Sequence, residues 1–218
     1  MSLNRFSRFT RFACIALCAG MLYACPAAAD LIEPQQTIEN ASNQLKQRLQ
    51  EPGFIHDFHK INDFVNEVIY PHIDFDLISS LVLGKSWKEA TVEQKASFKK
   101  EFQLLLIRTY ARALYELKDW SVRFLPVNNE EDPRKVMIKT EILQPGLQPI
   151  SINYRMLHGE SGWKVYDIII EGVSLVTNYR TGFKNDVERS GGSLQQVIDQ
   201  LARKNQEALN APQGDNKT

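Results

Sequence analysis

Residues 162–183, GWKVYDIIIEGVSLVTNYRTGF, join a strand pattern to a helix pattern with almost no connector. Residues 163–170 form an apolar run rich in aromatic and β-branched side chains, which is typical of a strand covered on both faces. Gly172 ends the run, and Ser174 follows at the position of a helix N-cap. Apolar side chains then recur at helical spacing as far as Phe183. The stretch therefore predicts a helix that begins directly beside a buried strand.

Three segments before this stretch have the alternating pattern of strands. Residues 120–124, 135–142 and 150–156 place apolar and polar side chains in turn, with period two. Short, turn-rich connectors separate them, as in β-hairpins. Together with residues 163–170, they predict a twisted antiparallel sheet of about four strands that has one dry, apolar face.

Apolar side chains at three- and four-residue spacing predict helices before the sheet. Thr91 and Gln94 form a T-x-x-Q capping box that opens the longest one. Its predicted buried stripe includes Phe98, Phe102 and Thr109, so we expect this helix to back the sheet and form one wall of the interior. The helices span about residues 34–50, 54–70, 74–83 and 92–117. The fold class is therefore α+β, with several helices wrapped around the sheet and an apolar cavity between them.

Length and composition agree with a single domain. A chain of 218 residues with 43% hydrophobic side chains can bury one good core. We expect a signal peptide at residues 1–29, one α+β domain at residues 30–210 and a disordered tail at residues 211–218. Within the domain we assign a helical region to residues 34–118, the sheet to residues 120–171 and C-terminal helices to residues 174–210.

The N-terminal residues have the pattern of an export signal. Three arginines precede an apolar segment at residues 12–23, and small residues follow, so cleavage after Ala29 is preferred. Cleavage there removes all three cysteines and leaves no thiol, disulfide or cysteine metal site. A competing interpretation is lipidation at Cys25, because residues 22–25 resemble the box before a bacterial lipoprotein cysteine. Pro26 fits that interpretation poorly.

The charge of the mature chain argues against one class of partner. Loss of residues 1–29 leaves 23 basic and 26 acidic side chains, which is a formal charge of −3. Nucleic-acid-binding proteins normally carry a basic face. We therefore expect no nucleic-acid partner.

The sequence contains no convincing catalytic or metal-binding set. The four histidines are scattered, and no nucleophile elbow, P-loop or zinc-protease motif is present. We therefore predict no cofactor, no metal and no enzyme activity. The alternative is a small cavity enzyme that uses Asp167 as a general base on an apolar substrate. The competing interpretation of Asp167 is an ion pair with Arg155 or Arg180 that holds the strand to the next helix.

Two long blocks carry a family resemblance. Residues 163–183, together with residues 87–114 (WKEATVEQKASFKKEFQLLLIRTYARAL), closely resemble the MlaC family, also called the toluene-tolerance family. The likeness covers roughly residues 34–209. The resemblance implies a highly twisted antiparallel sheet wrapped by helices, with acyl chains buried between them and the lipid headgroup near solvent.

The resemblance also implies a function. Members of the family are periplasmic phospholipid-binding proteins of Gram-negative bacteria. They carry lipid between an outer-membrane lipoprotein complex and an inner-membrane ABC transporter complex, and so maintain the lipid asymmetry of the outer membrane. A structural or adaptor role is a third hypothesis, which requires a filled core without a cavity.

No short list of lipid contacts transfers from the family, so the candidates come from the residue pattern. They are apolar or aromatic side chains of the predicted dry face, the opening stretch and the long helix. The sequence does not decide whether the odd-numbered or the even-numbered residues of 163–170 face the interior. The candidates are Phe102, Leu105, Tyr110, Val136, Ile138, Ile152, Tyr154, Ile168, Ile170, Val173 and Val176.

Overall fold

A computed structural model describes residues 31–114, 117, 119–128 and 131–210 of the chain. Within them the fold is α+β, with a five-stranded antiparallel sheet and seven α-helices. This confirms the predicted fold class. The predicted signal peptide and the predicted tail lie outside the described residues, and the proposed domain boundaries stay predictions.

The sheet is a meander in which the strands pair in chain order. One more strand is present than the sequence predicted. Glu171 and Gly172 connect the last two strands, and both have positive φ, 48° and 82°. This is the backbone of a type I′ two-residue hairpin, so the residues after Gly172 fold back to pair before the next helix begins. The strands are β1 Ser121–Phe124, β2 Lys135–Leu143, β3 Ile150–Gly159, β4 Gly162–Ile170 and β5 Val173–Ser174.

The hairpin leads directly into a helix, as the opening stretch predicted. The Ser174 hydroxyl oxygen accepts a hydrogen bond of 3.1 Å from the Thr177 N–H, which confirms Ser174 as the N-cap. The last helix begins in the same way, because the Ser193 hydroxyl accepts from the Gln196 N–H at 3.3 Å. These helices are α6 Leu175–Arg189 and α7 Leu194–Asn210.

The helices before the sheet are shorter and more numerous than predicted. Asp57 has extended backbone, and its carboxylate accepts from the N–H groups of His59 and Lys60, so a new helix begins there. The prediction of one helix over residues 54–70 is therefore wrong. A 3₁₀ turn precedes that new helix, and π and 3₁₀ turns follow it. The α-helices are α1 Glu33–Arg48, α2 Phe58–Phe64, α3 Phe75–Leu83, α4 Lys85–Glu89 and α5 Val92–Leu114.

None of the helices in the described part of the chain combines the length and the apolar character needed to cross a bilayer.

The longest helix, α5, begins at the predicted capping box. The Thr91 hydroxyl accepts from the Gln94 N–H at 3.2 Å, and the Gln94 side-chain oxygen accepts from the Thr91 N–H at 3.1 Å. The predicted buried stripe of α5 is only partly correct, because Thr109 is exposed while Ile107 is buried. Ile107 is buried because α5 also packs against α2, which the single-stripe interpretation did not include.

Buried apolar side chains form three clusters, which we name the helical, sheet and α2 clusters. The sheet cluster lies on one face of the sheet and is covered by Ile38 of α1. The buried side chains of α5 belong instead to the other two clusters. The long helix therefore does not supply the buried cover of this face, contrary to our expectation. The helical cluster comprises Phe75, Ile78, Val82, Leu83, Phe98, Phe102, Phe183, Leu194, Val197, Ile198 and Leu201. The sheet cluster comprises Ile38, Val136, Ile138, Met156 and Val165, and the α2 cluster Phe54, Ile61, Phe64 and Ile107.

One substitution at a buried position of α5 and one at an exposed position test how this helix packs. We expect Phe102→Ala to lower the free energy of unfolding by about 3–5 kcal/mol, because it leaves a cavity within the helical cluster. Thr109→Ala is the matched control, and it should change the free energy by less than about 0.5 kcal/mol. Urea unfolding monitored by circular dichroism measures both. Equal losses for the two variants would contradict the packing of α5.

Candidate functional site

Candidate side chains from three strands lie on the same face of the sheet. Residues directly opposite each other in antiparallel strands share a face. Ile138 lies opposite Tyr154, and Tyr154 lies opposite Ile168. The sequence did not decide which side chains of β4 share a face with the β2 candidates. The register shows that Ile168 does.

Another row of residues, each paired with the next across neighbouring strands, crosses all five strands. It runs Phe124, Thr140, Ile152, Ile170 and Val173 from β1 to β5. It contains three of the candidates, and four of its five side chains are apolar. This row extends the shared face to the edge of the sheet.

Rows on either side complete what we call the apolar face. At one end Val136, Met156 and Val165 lie opposite one another, and at the other end Val122, Ile142 and Ile150 do so. We number the four rows along β2: the first contains Val136, the second Ile138, the third Thr140 and the fourth Ile142.

A β-bulge brings both Val165 and Ile168 to the apolar face. The register of β3 and β4 shifts between Arg155 and Met156, so Val165 rather than Tyr166 lies opposite Met156. An unbroken strand places residues three apart on opposite faces. The bulge therefore explains why Val165 and Ile168 are both apolar although they are three residues apart.

Burial of the apolar face decreases from β2 toward the β4–β5 turn, since Ile138, Thr140 and Ile142 of β2 are at most 8% exposed. In the first row Met156 and Val165 are fully buried, and Ile138 in the second row is 0% exposed. In the third row Ile152 and Ile170 are half-buried, whereas Val173 is 57% exposed. The face is closed at the β3–β4 hairpin and open at the β4–β5 turn.

The apolar face includes two side chains with polar groups, Thr140 and Tyr154. Thr140 is completely buried, and its hydroxyl donates to the Ile152 carbonyl oxygen at 2.6 Å. The Tyr154 side chain keeps some exposed surface, but its phenol lies deep in the protein. Burial raises the pKa of Tyr154 to about 12, although its interaction with the Thr140 side chain acts in the opposite direction.

The helical candidates lie apart from the sheet candidates. Phe102 belongs to the helical cluster, and Leu105 and Val176 pack against that cluster. The Phe102 ring is enclosed by four other aromatic rings at centroid distances between 5.1 and 6.2 Å, those of Phe75, Phe98, Tyr179 and Phe183. The structure therefore does not bring the helical and sheet candidates into one cluster.

Tyr110 is half-buried beside Tyr179, which packs against the helical cluster. Burial raises its pKa to about 12, and the neighbouring Tyr179 adds to the rise through its charge and a hydrogen bond. This pair of phenols links α5 to α6. Tyr110 therefore has a structural partner in another helix, Tyr179 of α6.

Two small pockets lie away from all the candidates. One, of about 160 Å³, is at the β3–β4 hairpin, and the other, of about 100 Å³, is between α5 and α7. Both are below the roughly 300–1,000 Å³ of a typical small-molecule site. The predicted apolar cavity between sheet and helices therefore stays a prediction. The first pocket is lined by Asp74, Leu157, Gly159, Glu160, Ser161, Gly162 and Lys164. The second is lined by Phe58, Leu104, Arg108, Asn205, Ala208 and Leu209.

Asp167, the candidate base of the enzyme alternative, lies on the other face of the sheet. Its carboxylate is 3% exposed and accepts from the Ser174 hydroxyl at 2.8 Å and the Val176 N–H at 3.1 Å. It also pairs with Arg155 at 3.3 Å, which confirms the predicted ion pair, whereas Arg180 is exposed. The carboxylate thus joins β4 to the first turn of α6, and the apolar face has no access to it.

Comparisons with known proteins agree on one family. The sequence model of the MlaC protein family matches residues 39–203 of this chain. The toluene tolerance protein ttg2D of Pseudomonas putida is 28% identical over 157 residues, which are 69% of this chain and 72% of that protein. The intermembrane phospholipid transport system binding protein MlaC of Haemophilus influenzae is 27% identical over 174 residues, which are 78% of this chain and 75% of that protein.

A solved structure shares the fold. It is the phospholipid-binding protein from Ralstonia solanacearum, in complex with a phospholipid. The two chains superpose with a TM-score of 0.74 and are 29% identical, and the match covers 81% of this chain and 98% of the other. The likeness therefore includes most of the helices and the sheet described above.

We expect the loss of the Asp167 carboxylate to weaken the junction of β4 and α6. Asp167→Ala should lower the free energy of unfolding by about 1–3 kcal/mol, because it leaves buried donors without acceptors. Arg155→Met is the control, and it should cost less than about 1 kcal/mol because Arg155 is 43% exposed. Urea unfolding measures both. An Asp167→Ala variant as stable as the wild type would contradict this role.

Proposed function

This chain belongs to the MlaC family, and we propose that it binds a phospholipid and carries it across the periplasm. In this proposal it exchanges lipid with an outer-membrane lipoprotein complex and an inner-membrane ABC transporter complex. The exchange maintains the lipid asymmetry of the outer membrane. The observation that carries the proposal is the apolar face, which spans five strands and loses its cover toward the β4–β5 turn.

The names of the relatives support the choice of ligand. The Haemophilus influenzae relative is named as the binding protein of an intermembrane phospholipid transport system, and the Ralstonia solanacearum structure holds a phospholipid. Two acyl chains of about 15 carbons each represent on the order of 25 kcal/mol of gross apolar burial, at about 0.8 kcal/mol per methylene. A carrier has to replace most of that burial with apolar surface of its own.

The proposed lipid contacts are the candidates on the apolar face. Their burial and position agree with the role, because burial increases from the exposed Val173 through the half-buried Ile170 and Ile152 to the buried residues of β2. The helical candidates are not included, because they pack in or against a separate cluster. The proposed contacts are Val136, Ile138, Ile152, Tyr154, Ile168, Ile170 and Val173.

The proposal describes a carrier rather than an enzyme. Asp167, the base of the enzyme alternative, is engaged by three donors on the opposite face. Binding through a hydrocarbon surface requires no reacting group, no metal and no cofactor. The membrane complexes supply the direction of transport.

We propose that the protein acts in the periplasm, because residues 1–29 have the pattern of an export signal. Cleavage after Ala29 gives a soluble carrier that diffuses between membranes. Lipidation at Cys25 instead gives a tethered protein, which is the alternative.

Adjacent residues of β3 provide a test of lipid binding with a matched control. Ile152 lies on the apolar face and Asn153 on the opposite face, and both are half-buried. We expect Ile152→Glu to abolish copurification of phospholipid, because a carboxylate in hydrocarbon is strongly unfavourable. Asn153→Glu should retain the lipid. Native mass spectrometry of the proteins exported by a Gram-negative host measures the occupancy.

Circular dichroism of both variants establishes that they are folded. A wild-type protein that is consistently free of lipid would contradict the proposed function. Equal lipid loss in two folded variants would contradict the assignment of the apolar face.

The mass of the exported protein tests the processing of the N-terminus. We expect the intact mass of a chain that begins at Asp30, because cleavage after Ala29 removes the apolar segment. Cys25→Ser should leave that mass unchanged. A diacylglyceryl mass increment at Cys25, lost in Cys25→Ser, would instead establish the tethered form.

A further inference from the structure

Exposed apolar side chains collect at one end of the sheet. The start of β1, the β2–β3 turn and the β4–β5 turn all lie at this end, because neighbouring strands are antiparallel. Within the described residues six large apolar side chains are exposed, and three of them are here: Leu147, Ile150 and Val173. Val173 is a proposed lipid contact, whereas Leu147 and Ile150 are not. We call residues 144–150 the tip.

The tip has a defined shape. Pro145 and Gly146 are its central residues, Gly146 has a φ of 76°, and the Leu147 N–H donates to the Gln144 carbonyl oxygen at 3.2 Å. These are the features of a type II turn. The turn holds the Leu147 side chain in water, where it is 63% exposed. A tip that is already shaped loses little conformational entropy when it binds a surface.

The tip carries no charge. None of residues 142–152, ILQPGLQPISI, is acidic or basic, although 24% of the whole chain is charged. Glu141, which precedes this stretch, pairs with Arg123 at 2.8 Å on the opposite face of the sheet. In the neighbouring turn, the Glu171 carboxylate accepts from the Ser151 N–H. The tip can therefore enter an apolar environment without burying an ion.

The size of the exposed patch favours a bilayer over a second protein as the partner. A stable protein interface uses about 20–30 residues from each partner, far more than the exposed apolar side chains at this end. Insertion of a few apolar side chains into a bilayer needs no matching surface, and its strength follows the apolar area that is buried. An exposed acid, Asp119, precedes β1 at the same end, so the expected bilayer has no net negative charge.

We propose that the tip inserts Leu147 and Ile150 into the surface of an uncharged lipid bilayer and so sets the open side of the apolar face against the membrane. The inference rests on the proposed function, because it gives a lipid carrier the contact through which lipid enters or leaves. It names a docking surface outside the proposed lipid contacts. It follows from the exposure of Leu147, the absence of charge in the tip and the position of the tip at the same end as Val173.

Binding to vesicles tests the docking surface. The purified exported protein is mixed with vesicles of phosphatidylcholine and phosphatidylethanolamine, and the cosedimenting fraction is measured. We expect Leu147→Glu to lower the partition coefficient of the wild type by about tenfold or more, because a carboxylate replaces one leucine side chain in hydrocarbon. Leu147→Trp should bind at least as well as the wild type, since indole favours the membrane interface.

Val92→Glu is the matched control. Val92 is 78% exposed and lies in the first turn of α5 rather than in the sheet. This variant should cosediment as the wild type does. An increase in salt from about 0.1 M to about 1 M should not weaken binding of the wild type, because the tip is uncharged. Circular dichroism establishes that all three variants are folded.

The outcomes separate the docking surface from the proposed function. Failure of the wild type to cosediment, or a folded Leu147→Glu variant that cosediments equally well, would overturn the docking surface. An equal loss in Val92→Glu, or wild-type binding that salt abolishes, would also overturn it. Native mass spectrometry of the same preparations measures the bound phospholipid. A wild type that retains phospholipid but ignores vesicles leaves the proposed function standing, whereas a wild type without phospholipid overturns the proposed function itself.

Discussion

The β-bulge between Arg155 and Met156 is the constraint on which the two faces of the sheet depend. It adds one residue to β4, so Val165 and Ile168 both lie on the apolar face although they are three residues apart. The same shift places Asp167 opposite Arg155 on the other face, where its carboxylate accepts from the first turn of α6. A β4 without the bulge would turn either Val165 or Ile168 away from the apolar face. One local irregularity thus separates the hydrocarbon surface from the polar junction with the helices.

Most elements of the fold follow from local sequence patterns. Period-two alternation predicted the three earlier strands, and Thr91, Ser174 and Ser193 each cap the helix that the pattern assigned to them. These signals are local because a cap or an alternating strand involves residues close in the chain. The start of a new helix at Asp57 was missed because the apolar spacing of residues 54–70 continues through it. The sign of the new helix is a single side chain, the Asp57 carboxylate that caps it. The strand β5 was missed because the two-residue turn at Glu171 and Gly172 leaves only two paired residues.

The positions of the candidates on the strands were predicted better than the positions of those on the helices, for a physical reason. Alternation in β2 and β3 correctly grouped Ile138 with Ile152 and Tyr154, since the parity of a strand is local information. The assignment of helical residues such as Phe102 to the same surface needed the tertiary arrangement, which periodicity does not contain. An amphipathic helix shows that one side is buried but not which element buries it. The cover of the sheet cluster is Ile38, from a largely polar helix whose sequence gave little sign of that contact.

The uneven burial of the apolar face agrees with the proposed role of the protein as a carrier. A core residue is stabilised by neighbours of the same chain, and Met156 and Val165 in the first row meet that condition. Ile150 and Val173 in the outer rows leave hydrocarbon in water unless a ligand or partner covers it. In the proposed function a lipid covers that surface, and its binding has to be about as favourable as its insertion into a bilayer. Such a balance allows the proposed transfer of the lipid to a membrane complex that offers similar apolar surface.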